Sequence, residues 1–474
     1  MAHIELEKQV KPLTGPLVPL LPPIVSSRQL PTLQLERSDA PFGTQHPTWQ
    51  RQTYVVPAAF PRSISGSTAH PDNQIAGGDA APQRVDVAEA LLKMFVPQSD
   101  ALKKEVDVES LEEYQDQEQL FLAVNRYRCT ERRTSNKMEP GLTLVFLHAN
   151  GFHKEIWEPT IADLLEKMKH PEFENCRPIE EVWTLDCVNQ GDSAILNEAV
   201  LGNTFSWADH GRDIINFLLS YIDSPSLRNA SSPSGLHPTL SPVTDVDTSL
   251  FLLDAAPHPN GPSPASLRLW RNKLIVGIGH SLGGGGTAFA ATAIPSIFSS
   301  VIFCDPVLPP LGWEKSTSAL TGGALIRRDG WASRQDAMEA FLKKAFFRNW
   351  DPRVLDRYIV FGLKDVAEGV KLKARPRDEA LVFGDCMASS ARRAHSRLHT
   401  IPAALPVHFI FAEEGRSVLE ENDILELVAQ VKHASFSRVA GAGHLVAQER
   451  PKETAEEIAS FLRETYTVEP RAKL

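Results

Sequence analysis

The sequence has little of what would tie it to several large classes of protein. Its 474 residues include 5 cysteines. Cys129, Cys176, Cys187, Cys304 and Cys386 form no Cys-x-x-Cys pair and have no histidine at zinc-finger spacing, so no metal site, cofactor or disulfide framework is expected. They read as reduced thiols of an intracellular compartment. Basic charge is in deficit, with 49 Lys and Arg against 59 Asp and Glu and a formal net charge of -10. A nucleic-acid partner is therefore not expected, because it would need clustered cations to displace counterions from phosphates. No stretch approaches the roughly 18 to 20 apolar residues of a membrane span. The segment Met1-Ala2-His3-Ile4-Glu5-Leu6-Glu7-Lys8 lacks a basic run followed by an apolar one, so no secretory leader is expected.

What is present is proline in blocks and a repeated exchange of strand and helix periods. Residues 1–80 hold Leu20-Leu21-Pro22-Pro23 and the Pro57 to Pro61 stretch, with no sustained helical period. Proline fixes φ and removes a donor, so an extended or partly disordered arm is expected. Within it Arg51 to Pro57 reads equally as an edge strand or as solvated linker. A second break at 223–266, rich in Ser, Pro and Gly, reads as a flexible surface insertion.

Between the breaks, short apolar runs at Leu142 to His148, Glu181 to Asp186, Lys273 to Gly279, Ser300 to Cys304 and Val407 to Ala412 suit strands buried on both faces. Helical patterns separate them at Thr204 to Ile222, Gly283 to Ile297, Val418 to Val431 and Lys452 to Tyr466. This alternation predicts an α/β fold: a mostly parallel sheet with helices on both faces and its site at the carboxyl ends of the strands. The core then comprises 81–306 and 401–474. From 307 to 400 the pattern is helical without strands, as in Gln335 to Phe347 and Val354 to Leu363, which reads as a helical cap over the site or as a thicker helical layer on the sheet.

Gly279-His280-Ser281-Leu282-Gly283 is a Gly-x-Ser-x-Gly motif, which chance supplies to roughly one chain of this length in six. Its position is more telling, since it ends an apolar strand and opens directly into a helix of small residues. A serine on so sharp a turn presents its hydroxyl above the sheet, making Ser281 the candidate nucleophile. Its hydroxyl needs a base. His444, in Gly441-Ala442-Gly443-His444-Leu445, follows the short strand Ser435 to Val439 and precedes the last helix. The acid that orients this imidazole has two candidates: Asp305, directly after the strand Val301 to Cys304, and Glu414 of the pair Glu413-Glu414 after Val407 to Ala412. Asp305 is preferred for its place at the strand end. An oxyanion would be held by the main-chain N–H of Leu282 and, from the loop after Leu147, that of Asn150. The loop His148, Ala149, Asn150, Gly151, Phe152, His153, Lys154 and Glu155 is the candidate substrate-binding segment.

Together these elements resemble the α/β-hydrolase fold over about 120 to 466. The loop Leu147 to Glu155 and the segment Arg327-Arg328-Asp329-Gly330-Trp331-Ala332-Ser333-Arg334 are similar to fungal peroxisomal α/β-hydrolases, namely the mycophenolic-acid-CoA thioesterases, the toxin-biosynthesis hydrolases and the yeast peroxisomal lipase. The resemblance implies an acyl-CoA thioesterase of secondary metabolism, with a small-molecule acyl-CoA or ester as substrate. In the thioesterases the acid follows the strand after the nucleophile, which strengthens Asp305. A carboxylesterase or lipase on oxygen esters, and a silent binding scaffold, are the competing readings. Arg327, Arg328, Lys343, Lys344 and Arg348 would either receive the phosphates of coenzyme A or form a solvated helix face. The tripeptide Ala472-Lys473-Leu474 fits the small-basic-leucine address read by the peroxisomal import receptor.

Overall fold

The computed structural model describes residues 17–24, 28–33, 41–69, 101, 103–107, 109–131, 140–228, 239–242, 273–310, 318–386 and 390–468. Most of the expected insertion at 223–266, much of the N-terminal arm, and Ala472, Lys473 and Leu474 lie outside the described residues.

Among the described residues the strands run, in chain order, β1 (Trp49–Pro57), β2 (Phe121–Cys129), β3 (Leu142–Leu147), β4 (Ile179–Leu185), β5 (Leu274–His280), β6 (Ser300–Cys304), β7 (Gly330–Trp331), β8 (Leu363–Val366), β9 (Gly369–Leu372), β10 (Val407–Phe411) and β11 (Ser435–Arg438). Eight of them form one sheet in the order β1-β2-β4-β3-β5-β6-β10-β11. The β1/β2 and β2/β4 pairs are antiparallel and every other pair is parallel. Every residue of β3, β6 and β10 is buried, as an unbroken apolar run demands when helices cover both faces. The expected α/β-hydrolase fold is what the chain adopts. No described helix is long and apolar enough to cross a membrane.

β2 has no counterpart among the expected strands, because Asn125, Arg126 and Arg128 interrupt its apolar pattern. Two of these polar groups have partners instead. Asn125 Nδ2 donates to Glu155 Oε1 at 2.7 Å, and Arg126 pairs with Glu181 while its guanidinium lies over the Trp183 ring at 5.3 Å. Of the two readings of Arg51 to Pro57, the edge strand is the one formed, since β1 pairs with β2 along all nine of its residues.

The Pro-rich arm is fastened by buried guanidinium groups. Arg212 donates from Nε to Val18 O (2.7 Å) and from Nη2 to Pro19 O (2.9 Å), while Arg62 Nη1 donates to Asp213 Oδ1 at 2.6 Å. Leu17 and Leu20 thereby join the main apolar cluster. Thus 17–20 and 49–64 are integral to the core rather than a separate arm. Within the insertion, Leu240 is buried and its N–H donates to Val55 O at 2.9 Å, so 239–242 lie along β1.

The segment between β6 and β10 holds the helices Ser318–Leu325, Arg334–Leu342, Ala345–Arg348, Pro352–Gly362, Pro376–Cys386 and Ser390–Arg397. One correction is needed: it is not strandless, for β7, β9 and β8 form a small antiparallel sheet. Strands of two to four residues are too short to show a period-two pattern. The turn between β8 and β9 depends on Gly369, whose φ of 123° suits no other residue. An aromatic cluster seats the segment on the core: Phe152 meets Trp350 at 5.4 Å and Tyr358 at 5.9 Å between ring centroids. Pro376–Cys386 is docked by Trp207, which donates from its main-chain N to Asp385 Oδ2 (2.6 Å) and from Nε1 to Val382 O (2.8 Å).

Candidate active site

The adjacent strands β3, β5, β6 and β10 deliver their carboxyl ends to one place, where the candidate residues meet. Between β5 and the helix Leu282–Ala293, Ser281 sits at φ 54° and ψ -112°, a strained conformation for a side-chain-bearing residue. The turn depends on the glycines around it. A Cβ on Gly279 would stand 2.3 Å from Gly283 O, and one on Gly283 would stand 2.3 Å from Leu147 O. Both positions therefore exclude any other residue.

The Ser281 hydroxyl lies 3.1 Å from His444 Nε2. On the other side of the ring, His444 Nδ1 is 2.5 Å from Asp305 Oδ2. Asp305 is 1% exposed, and its second oxygen accepts the Ala412 N–H at 3.1 Å. Its own N–H donates to Ile410 O at 2.7 Å, so β10 and the residue just after it hold the acid at both ends. Asp305 has φ 36°, which aspartate tolerates better than most residues. Glu413 and Glu414, the other acidic candidates, are exposed. Glu413 takes its main-chain and side-chain contacts from Ala442, Gly441 and Arg416 rather than from the imidazole.

His280, between the glycine and the serine, was not singled out by sequence. It is buried, and its Nε2 donates to His444 O at 2.9 Å, tying the serine turn to the histidine loop. Burial pushes its imidazole down to about 3 and keeps it neutral.

Among the described residues neither the Leu282 nor the Asn150 main-chain N–H donates to a protein acceptor. The two segments are joined, because Gly283 N–H donates to His148 O at 3.1 Å. The Asn150 loop is clamped by a residue that sequence reasoning missed. Gln190 is fully buried; its Oε1 accepts the Gly151 N–H at 2.8 Å and its Nε2 donates to Asn150 Oδ1. Asn150 Nδ2 in turn donates to Glu379 O at 3.1 Å, joining the loop to the helix Pro376–Cys386. Gln190 lies just beyond the carboxyl end of β4, where ligand sites in parallel sheets collect, and that was the signal available.

The rest of the candidate substrate-binding loop is placed differently. His148, His153, Lys154 and Glu155 are all buried and bonded to protein. His148 Nδ1 donates to Ala149 O at 2.8 Å and its Nε2 accepts the Cys187 N–H at 3.1 Å, and burial brings its imidazole down to about 4. Lys154 Nζ lies 2.5 Å from Asp192, 2.9 Å from Glu155 and 3.1 Å from Asp186, with Lys373 on the far side of Asp192 at 2.6 Å. Those three carboxylates hold the ammonium well above its usual range against the cost of burial. These four residues thus support the loop from below, a correction to their reading as substrate contacts. Phe152 belongs to the aromatic cluster described above, which leaves Ala149, Asn150 and Gly151 beside the serine. Arg327 is also committed: it pairs with Glu379, and its Nη2 lies 3.1 Å from the Tyr358 hydroxyl.

A serine hydroxyl, a histidine and a carboxylate in series, beside two unpartnered N–H groups, can support acyl transfer through a tetrahedral intermediate.

The alpha/beta hydrolase family matches residues 144–457. The chain is 26% identical over 254 residues to the type I acyl-CoA thioesterase mpaH of Penicillium brevicompactum, covering 53% of this chain and 46% of that protein. It is 23% identical over 381 residues to the peroxisomal membrane protein LPX1 of Saccharomyces cerevisiae, covering 74% and 83%. The abhydrolase domain-containing protein ACTT2-1 of Alternaria alternata is 35% identical over 102 residues, 22% of this chain and 38% of that one. The chain spans less than half the length of the thioesterase relatives it matches. The solved structure of the peroxisomal alpha-beta-hydrolase Lpx1 of Saccharomyces cerevisiae shares the fold, with a TM-score of 0.61 and 20% identity over 90% of this chain and 92% of that one. The relatives are thus the fungal group that the loop motif resembles.

Proposed function

Since the chain belongs to the alpha/beta hydrolase family, we propose that it is a serine hydrolase cleaving an acyl thioester, of the acyl-CoA thioesterase type. The observation that carries the serine mechanism is the continuous chain from Ser281 Oγ through His444 to Asp305, at 3.1 Å and 2.5 Å. Ser281 Oγ attacks the acyl carbon while His444 Nε2 takes its proton. The oxyanion forms against the N–H groups of Leu282 and Asn150, and Asp305 stabilises the imidazolium. Collapse of the intermediate breaks the carbon–sulfur bond, and the thiolate leaves with the proton from His444. Water then attacks the acyl-enzyme, giving its proton to His444, and the acid is released as Ser281 is restored.

A thioester is the preferred substrate because three of the relatives are acyl-CoA thioesterases, one of them matching over 254 residues, and because a thiol with a pKa near 8.5 leaves readily. The segment 307–400 serves as the cap, contributing Glu379 O to the Asn150 loop. A peroxisomal site of action is supported by the yeast relative, a peroxisomal membrane protein, and by Ala472-Lys473-Leu474. Initial rates on a panel of acyl-CoA thioesters and matched oxygen esters, with Ser281→Ala as control, test the substrate class. Faster cleavage of the oxygen esters would make the protein a carboxylesterase or lipase. A fluorescent N-terminal fusion with and without residues 472–474 tests the location.

A further inference from the structure

A groove of about 640 Å³ lies between the segment 348–353 and the loop and helix start at 441–453. Its walls carry five cationic and three acidic side chains, an excess of two positive charges in a chain whose net charge is -10. Two of the cations are compensated: Arg353 by Asp163 and Asp351 at 2.8 Å and 2.9 Å, and Arg416 by Glu413 and Glu449 at 3.4 Å and 3.8 Å. The other three have no carboxylate partner among the described residues. Arg348 reaches only the Leu342 and Lys343 carbonyls (3.1 Å and 2.9 Å), Arg450 reaches only Glu449 O (2.7 Å), and Lys452 is exposed. Each guanidinium carries five N–H donors, so these contacts leave most of that donor capacity uncommitted among the described residues. A concave surface with uncompensated guanidinium groups suits a phosphorylated ligand, which accepts paired N–H bonds from arginine.

The groove adjoins the candidate active site. Gly441 lines it and is three residues from His444, so their Cα atoms lie within about 11 Å of each other. Glu449, also on its wall, accepts the Gly443 N–H at 2.8 Å. That separation is shorter than an extended pantetheine arm, which divides the thioester of an acyl-CoA from its first phosphate. Arg327, which the sequence left as either a phosphate contact or part of a solvated helix face, instead pairs with Glu379.

We propose that this groove binds the phosphate groups of coenzyme A through Arg348, Arg450 and Lys452 while the thioester lies at Ser281. The assignment rests on the thioesterase reading above. The test compares kcat/KM for an acyl-CoA with that for the same acyl group on N-acetylcysteamine, which has the thioester but no phosphate. In Arg348→Glu/Lys452→Glu the ratio of the two should fall about tenfold, the loss of roughly one charge-assisted hydrogen bond. A ratio within twofold of wild type would overturn the proposal. If the double reversal fails to fold, Arg348→Gln/Lys452→Gln carries the same test with an expected fall of about threefold. Calorimetric titration of the wild-type chain with free coenzyme A needs no turnover. Binding that weakens in the variant supports the groove even if no CoA thioester is hydrolysed, whereas no binding to the wild type refutes it.

Discussion

Asparagine matches aspartate in heavy-atom shape, yet Asp305→Asn should nearly abolish turnover, and the hydrogen bonds around the position say why. Oδ1 accepts the Ala412 N–H at 3.1 Å, and Oδ2 faces His444 Nδ1 at 2.5 Å. An amide must put its oxygen on one of these and its NH2 on the other. With the oxygen kept toward Ala412, the NH2 faces Nδ1, which must then be unprotonated. The ring proton moves to Nε2 and points at Ser281 Oγ, so His444 cannot accept the serine proton. The flipped amide would set NH2 against the Ala412 N–H, leaving a buried donor unsatisfied at a cost of about 1–3 kcal/mol. The productive orientation is thereby reduced roughly tenfold to a hundredfold. Loss of the carboxylate that stabilises the imidazolium accounts for the rest of an expected fall of about 10³ to 10⁴ in kcat, or ~4 to 5.5 kcal/mol. Steady-state kinetics on the best substrate of the panel, with a melting curve to show that the fold is kept, make the test. Activity within tenfold of wild type would refute the assignment, as would an equal loss in Glu414→Gln.

Two further outcomes follow from the same geometry. Gln190→Leu strands the Gly151 N–H and Asn150 Oδ1 in the interior, so unfolding free energy should drop by about 2–4 kcal/mol and kcat by about tenfold; urea titration and kinetics check both, and a neutral effect on kcat would dissociate the clamp from the oxyanion loop. His148, His210 and His280 are held neutral by burial, at about 4, 3 and 3 against 6.5 in the unfolded chain. Unfolding therefore takes up protons below pH 6.5, and this stability is present above that pH and lost as the pH falls toward 4. These three groups contribute ~4 kcal/mol per pH unit below pH 6.5, His395 and His408 at about 4 add to it, and Asp186, raised to about 7 by burial, opposes it; the urea midpoint should be lower at pH 5.5 than at pH 7.5, and equal midpoints would contradict it.

The features legible in the sequence were those whose cause is local. Gly279 and Gly283 flank a turn where no Cβ fits, and His444 follows a short strand, so both announce themselves within a few residues. The acid was narrowed to two strand ends, because only the order of β6 and β10 in the sheet decides which carboxylate reaches the imidazole. β2 was missed since its polar residues find partners on β4 and on the 148–155 loop, and the strands of the cap because each is a few residues long. Lys154 and Glu155 looked like substrate contacts beside small residues. Their burial depends on Asp186, Asp192 and Lys373, up to 219 positions away along the chain (373 minus 154), and no window of sequence contains that network.

The central claim is that Ser281 is a nucleophile activated by His444. Treatment of the purified chain with a fluorophosphonate, followed by peptide mass spectrometry, addresses it without knowledge of the natural substrate. A single adduct is expected on the peptide containing Ser281, lost in Ser281→Ala and strongly slowed in His444→Ala. Wild-type protein that stays unlabelled, or that labels equally well in His444→Ala, would contradict it.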